Sequence, residues 1–279
     1  MIPLEFDYQA PATLEEAISL LAGGDEDVKV LAGGHSLIPL MKLRLAAPSL
    51  LVDIRKVPDL KGVSRSNGDV KVGALTTHAE VAGSDIGLAA TVAGTIADPQ
   101  VRHRGTIGGS LAHGDPASDL PAVLLAAEGS VDVQGPNGTR TIAAADLFED
   151  YLTTSISDDE ILTGVNLPAM EGYGFGYEKF NRRAEDWAMV AVAVWVKNEG
   201  GTVSDVRVGL TNMGSTPLRA TAVEEALRGG NASADAIAQA AEQAAEGTDP
   251  PGDLNASSEY KRHLARVLTR RALTKAAGI

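Results

Sequence analysis

Two glycine bends constrain this chain more than any other feature. The first, Ala32-Gly33-Gly34-His35-Ser36, follows directly on the apolar run 28–31. The second, Thr106-Ile107-Gly108-Gly109-Ser110, lies within a longer stretch, 97–121, that joins a basic cluster (Arg102, His103, Arg104) to a hydroxyl-bearing turn and two carboxylates, Asp115 and Asp119. A backbone with so few Cβ atoms can approach a ligand closely, and its successive peptide N–H groups can form an anion-binding nest. A single Gly-Gly pair is equally at home in a plain surface loop, so the weight lies on there being two. Neither bend fits Gly-x-Gly-x-x-Gly or the Gly-Lys-Ser/Thr end of a P-loop. The nucleotide site they suggest is of another type, with two turns from different lobes clamping one pyrophosphate and Ser36, Thr106 and Ser110 adding hydroxyl donors.

Around the bends the pattern reads as three successive units, 1–55, 56–172 and 173–279. In the first, Thr13-Leu14-Glu15-Glu16 matches a capping box, and Leu14, Ala17, Ile18 and Leu21 follow helical spacing until Gly23-Gly24. Strands at 28–32 and 50–54 flank the first bend, which makes a small βαβ unit with its glycine turn at a strand end, where α/β units place ligands. The second unit has short elements: a strand at 69–74, a helix after Thr76 or Thr77 that carries His78 and Glu80, and an apolar helix at 90–96. A helix capped by Asp119, a hairpin across Pro136-Asn137-Gly138 and a strand at 160–168 complete it. In the third, strands at 174–180, 189–197 and 203–211 form an antiparallel meander. Thr216-Pro217 opens a helix, and further helices cover 231–246 and 257–277, giving a self-contained α+β domain.

Composition excludes several function classes. The net charge of −13 argues against nucleic acid or an anionic membrane as partner, since either calls for a basic face. Aromatic residues are only 4% of the chain, so alanine, valine, leucine and glycine must fill the core. There is no cysteine, which removes disulfides, thiolate nucleophiles, cysteine-ligated clusters and cysteinyl–flavin bonds. The N-terminal residues lack a secretory pattern, and the longest apolar run, 188–196, is too short to span a bilayer. The expectation is a cytoplasmic protein without a transmembrane segment.

The remaining side chains offer no obvious catalytic constellation. His35 and His113 follow glycine bends and read either as ligand neighbours or as loop residues. His78 and His263 read as solvated or structural, and His103 as polar surface or a subunit contact. No pair has the spacing and carboxylate support of a zinc site. Asp119 reads as a helix N-cap, Lys179 either as an exposed strand end or as a cation facing a ligand, and Trp187 as core or interface. Three Asn-x-Ser/Thr sequons, at Asn137, Asn231 and Asn255, are chance matches in the absence of a signal segment.

The two bends, His113-Gly114-Asp115-Pro116, Tyr177-Glu178-Lys179-Phe180, Leu210-Thr211-Asn212-Met213-Gly214 and Tyr260-Lys261-Arg262-His263-Leu264, in this order and spacing, resemble the medium, FAD-binding subunits of molybdenum hydroxylases, the xanthine dehydrogenase family. Within it the likeness is to the carbon monoxide dehydrogenase branch, and it runs over essentially the whole chain. It implies a vanillyl-alcohol-oxidase-type (PCMH-type) FAD-binding fold of two sub-domains, followed by a C-terminal α+β domain with a three-stranded antiparallel sheet and helices. By position, Ala32, Gly33, Gly34, His35, Ser36 and the adjoining Leu37, with Thr106, Ile107, Gly108, Gly109 and Ser110, hold the pyrophosphate of a non-covalent FAD. Asp115, Asp119 and the Leu162 backbone lie by the nucleotide, Lys179 lies near the ring, and Thr76 is a further contact. The implied partners are a small 2Fe-2S subunit and a large molybdenum-cofactor subunit in a dimer of heterotrimers. The complex sits in the cytoplasm or at the inner face of the membrane, and FAD passes electrons to an external acceptor such as a quinone. Other readings are a sister subunit serving an aldehyde or N-heterocycle hydroxylase, a non-redox nucleotide-binding module, and a stand-alone flavin oxidase.

Overall fold

The computed structural model describes residues 2–23 and 27–279. In the first lobe β1 (Asp7–Gln9), α1 (Leu14–Ala22), β2 (Val28–Leu31), α2 (Leu37–Leu43) and β3 (Leu50–Asp53) wind into a parallel sheet of order β1-β3-β2. Helix α1 forms where Ala17, Ile18 and Leu21 recur on one face and bury against Val28 and Val52. The Thr13 hydroxyl accepts the Glu16 N–H at 3.2 Å, as a cap should. Glu16 instead reaches one residue further back than a capping box requires, and accepts the Ala12 N–H at 2.9 Å. The helix closes on Gly23; Gly24 lies outside the described residues. Asp53 accepts hydrogen bonds from the Tyr8 hydroxyl and the Arg55 guanidinium, which pins the edge strand β1 to β3.

The second lobe runs through β4 (Val63–Ser66), β5 (Asp69–Gly73), α3 (His78–Ala82), α4 (Leu88–Ala93), α5 (Pro99–Arg102), α6 (Ile107–His113), α7 (Asp119–Ala126), β6 (Ser130–Gly135), β7 (Gly138–Ala143), α8 (Ala144–Leu147), β8 (Phe148–Asp150), β9 (Thr153–Thr154) and β10 (Ile161–Leu167). Five of these strands form an antiparallel sheet of order β4-β5-β10-β6-β7, with the last strand at its centre. The apolar run expected as a helix over 90–96 starts earlier and stops at Ala93, where Gly94 caps it. Thr77 supplies the cap of α3 with a complete capping box to Glu80. Thr76 is 1% exposed and its hydroxyl is committed to the Gly62 backbone, so it is a structural tie between loops.

The third lobe contains β11 (Tyr173–Phe180), β12 (Val190–Glu199), β13 (Thr202–Thr211), β14 (Leu218–Arg219), α9 (Thr221–Leu227), α10 (Ala234–Ala241) and α11 (Ser258–Ala277). The three expected strands pair antiparallel, and β14 adds a short fourth. Thr216-Pro217 does not open a helix: Leu218 and Arg219 pair with Leu210 and Gly209, and the helix begins only at Thr221. The helix expected over 231–246 starts at Ala234, because Ser233 accepts the Ala236 N–H, and passes into a 3-10 turn at Glu242–Ala245.

Strand β12 explains how this lobe meets the second. Its successive side chains alternate between two cores. Val190, Val192, Val194 and Val196 face α9, α10 and α11, while Ala191, Ala193 and Trp195 face the second lobe. Opposite Ala193 stands Gly209, where a Cβ would lie 2.3 Å from the Ala122 carbonyl oxygen of α7. The absence of a side chain there lets α7 lie directly on the sheet. That packing sets the position of Asp119 at the start of α7.

Candidate functional site

The first glycine bend connects β2 to α2. From Gly33 to Leu37 five consecutive backbone N–H groups donate to no acceptor among the described residues, although the Gly34 and Ser36 carbonyls accept helical bonds from Ile38 and Leu40. Gly34 has φ +79°, a left-handed backbone of the kind that turns successive N–H groups to one side. The bend is an N–H-rich concavity fixed at both ends by regular structure.

The second bend is built differently from the expectation. It is the start of helix α6, with Thr106 at the cap, and not an open turn. Its N–H groups from Ile107 to Ser110 are used internally: Ile107 donates to the Thr76 carbonyl, Gly108 to Ala74, Gly109 to the Thr106 hydroxyl at 3.2 Å, and Ser110 to the Thr106 carbonyl. Gly108 is there for packing, since a Cβ would lie 2.6 Å from that of Ala74. What this bend presents is a small-residue wall with the hydroxyls of Thr106 and Ser110. The symmetric two-nest clamp is thus corrected to one nest facing one hydroxyl-bearing wall.

The two bends are nonetheless neighbours. A Cβ on Gly33 would lie 2.3 Å from the Arg104 carbonyl oxygen and 2.8 Å from the Gly105 Cα, so the first lobe docks backbone to backbone on the segment that leads into α6. Between them opens a cavity of about 540 Å³, well within the range of small-molecule sites. Ala32, Gly33, Gly34, His35, Ser36, Leu37, Thr106, Gly109, Ser110, Asp119 and Lys179 all contribute to its wall. Thr76, Ile107, Gly108, Asp115 and Leu162 do not. The Asp115 carboxylate accepts the Ala117 N–H at 2.8 Å, while Ile107 and Leu162 point into the second lobe's core.

Away from the nest the wall carries a buried ion pair. Tyr177 and Lys179 are two residues apart on β11 and therefore share a face, opposite Ala193 and Ala191. Both reach Asp119: the Tyr177 hydroxyl donates at 2.6 Å and the Lys179 ammonium at 2.8 Å. Asp119 is accordingly not the N-cap of α7; Ser118 holds that position and Asp119 is the first helical residue, its carboxylate drawn to β11. Nor is Lys179 an exposed strand end, since its side chain is 8% exposed and that of Asp119 6%. Burial raises the Asp119 carboxyl above the ordinary carboxylate range, against the opposing pull of Lys179 and Tyr177. Burial and the adjacent carboxylate push the Tyr177 phenol well up, so it stays a hydrogen-bond donor.

His35 and His113 both reach the cavity wall, His35 from the exposed nest and His113 from the end of α6. Burial lowers the His113 pKa, with Asp115 pulling the other way. His78 is also in the wall, which its helical position in the sequence did not signal. It is 5% exposed, its Nδ1 has no partner among the described residues, and burial first, then His35 and Arg102, lower its pKa to about 4. Ile96, Ala97, Ser157, Asp158 and Trp187 also contribute to the wall, though the sequence reads Ile96 as helical, Trp187 as core or interface, and none of them as a site residue. Trp187 is 56% exposed and so is not a core residue. Among the described residues no group of three His, Asp or Glu side chains is placed to hold a metal ion, and no helix is long and apolar enough to cross a membrane.

Comparison with known proteins accords with this geometry. A family model described as the FAD binding domain in molybdopterin dehydrogenase matches residues 4–170, and one described as the CO dehydrogenase flavoprotein C-terminal domain matches residues 175–276. The carbon monoxide dehydrogenase medium chain of Hydrogenophaga pseudoflava is 40% identical, over 99% of this chain and 98% of its own length. Subunit alpha of the 6-hydroxypseudooxynicotine dehydrogenase complex of Paenarthrobacter nicotinovorans is 38% identical over 99% of this chain and 96% of its own. Among solved structures, carbon monoxide dehydrogenase from H. pseudoflava lacking the Mo-pyranopterin moiety superposes with a TM-score of 0.97 at 42% identity, covering 100% of this chain and 99% of that one. The chain therefore belongs to the family of FAD-binding flavoprotein subunits of the molybdopterin dehydrogenases, in the group that includes the carbon monoxide dehydrogenase medium chains.

Proposed function

We propose that the cavity holds FAD non-covalently and that this chain is the electron-relay subunit of a molybdenum hydroxylase that oxidises carbon monoxide. One observation carries the reading: five N–H groups, Gly33 to Leu37, that meet no acceptor among the described residues line a cavity to which all three lobes contribute, with a buried ion pair elsewhere in its wall. Those N–H groups suit a diphosphate, because oriented peptide dipoles bind anions without a net positive charge. This is how a chain of charge −13 can hold so acidic a ligand. Thr106 accepts the Gly109 N–H through its oxygen and keeps its own proton free, and Ser110 adds a second hydroxyl. Asp119 fixes the Lys179 ammonium in the wall, where it would lie beside a bound flavin.

When bound, FAD would supply the redox chemistry between the 2Fe-2S clusters of a small subunit, fed by the molybdenum cofactor of a large one, and an external acceptor such as a quinone. A chain without cysteine leaves the clusters to a partner. The protein's own work is to bind, orient and shield. On this reading the complex is a cytoplasmic dimer of heterotrimers, free or resting on the inner face of the membrane.

A second reading is favoured by the relative named for 6-hydroxypseudooxynicotine, nearly as similar as the carbon monoxide enzyme. It keeps the flavin role and changes only what the large subunit oxidises. Purification with native partners tests both. The preparation should be yellow, acid or heat should release the flavin, and carbon monoxide should bleach its visible band. Bleaching by an aldehyde or N-heterocycle but not by carbon monoxide would favour the second reading, and a colourless protein that cannot be reconstituted with FAD defeats both.

A further inference from the structure

We propose that Arg102 is a positioning residue for the FAD cavity, holding the Ile96–Ala97 bend of its wall in a left-handed backbone that the bend does not adopt unaided. Ala97 has φ +44°. Of the seven non-glycine residues with positive φ among the described residues, it alone contributes to the wall of this cavity. Asn and Asp tolerate that region through their own side-chain hydrogen bonds, but alanine has no polar atom to offer. Support for the bend must come from outside it, and strained backbone held by its surroundings is concentrated at functional sites.

The support is visible. The Arg102 Nη1 donates to the Ile96 carbonyl at 2.8 Å and to the Ala97 carbonyl at 2.7 Å. Two successive carbonyls are thereby turned toward one guanidinium nitrogen, whose two N–H groups are fixed in the guanidinium plane, whereas the donors of an ammonium rotate. Arg102 is itself anchored, since it closes α5, a helix started by the Asp98 carboxylate on the Val101 N–H at 2.9 Å and by Pro99 in the first turn. The Ala97 N–H is left without a partner among the described residues, in a residue that contributes to the cavity wall beside Ile96 and Val101. Arg102 is half-buried, so the Arg-His-Arg cluster is in part a device for shaping the site and not only a charged surface.

The inference rests on the reading that this cavity takes FAD, and the test separates the two. The full chain with its native partners is stripped of flavin and titrated with FAD, following flavin fluorescence and the visible spectrum, with melting temperature measured in parallel. Arg102→Ala should raise the FAD Kd about tenfold, equivalent to about 1.4 kcal/mol, and shift the flavin band. Ala97→Gly alone is the reference for the double variant. Arg102→Ala with Ala97→Gly should recover most of the affinity and the wild-type spectrum, because glycine adopts the bend without help. Arg102→Lys, should the alanine variant fold poorly, should lose affinity and be rescued in the same way. Wild-type affinity in Arg102→Ala, or no recovery in the double variant, overturns the positioning role. Wild-type protein that takes up no FAD overturns the cavity assignment instead.

Discussion

Replacing Lys179 by methionine keeps the length of the side chain and removes one charge from a buried pair. At 2.8 Å and an effective dielectric of about 20, the Lys179–Asp119 attraction is about 6 kcal/mol. Most of this is offset by taking both groups out of water, so the cost of the variant is set by the carboxylate it strands. Asp119 would keep only the Tyr177 hydroxyl, and removing one partner of a buried pair costs about 3–5 kcal/mol. The stranded carboxyl can partly escape by taking up a proton. Its folded pKa, already raised by burial, would rise further, so the folded state binds the proton more readily than the unfolded chain. Stability then falls as pH rises from about 4 to the new folded pKa and levels off above it, by about 1.4 kcal/mol per pH unit. Equilibrium urea unfolding at pH 5 and pH 8 should therefore show a loss at both, larger at pH 8. With an m-value near 3 kcal/mol/M the midpoint should move by about 1–2 M. Lys179→Met with Asp119→Leu, which removes the stranded charge, should recover most of the loss. A single variant costing less than about 1 kcal/mol, the same cost at both pH values, or a double variant no better than the single would refute the reasoning.

Gly33→Ala should cost about 1–3 kcal/mol and deplete bound flavin, because the new Cβ meets the Arg104 carbonyl at 2.3 Å and neither backbone can yield without parting the lobes; thermal melting and flavin stoichiometry check it. His78 contributes a pH dependence of opposite sense to the stranded Asp119. Its folded pKa of about 4 lies below the ordinary 6.5, so its stabilising effect is complete above pH 6.5 and is lost as pH falls toward 4. The difference of about 2.5 units corresponds to roughly 3 kcal/mol, and His78→Gln should flatten the acid limb of a stability–pH curve by about that amount. An unchanged acid limb would show that His78 is not the group responsible.

Several features of this protein are legible in its sequence because they are local. The Thr13 cap, the β6/β7 hairpin and the strands of the third lobe depend on contacts among near neighbours, and near neighbours are what periodicity and capping residues report. The first bend is legible in part, since a glycine at the end of a strand permits the left-handed turn at Gly34, but that its N–H groups stay free depends on what packs around them. The Thr216-Pro217 start failed for the complementary reason: a cap and a proline permit a helix, but Leu218 and Arg219 found strand partners in β13.

Tertiary structure decided everything that depends on which residues of distant segments meet. Thr106 to Ser110 has the same composition in either setting, yet the N–H groups from Ile107 to Ser110 are spent on Thr76, Ala74 and Thr106 because α6 packs against the loop after β5. Asp119 has the chemistry of a cap, and becomes an ion-pair partner only because α7 lies on the sheet that carries Tyr177 and Lys179, at a point where Gly209 has no side chain to hold it off. His78 and Ala97 likewise enter the cavity wall through packing between lobes. Hydrogen-bond capacity and backbone freedom are properties of a residue, whereas the partner that uses them is a property of the folded whole.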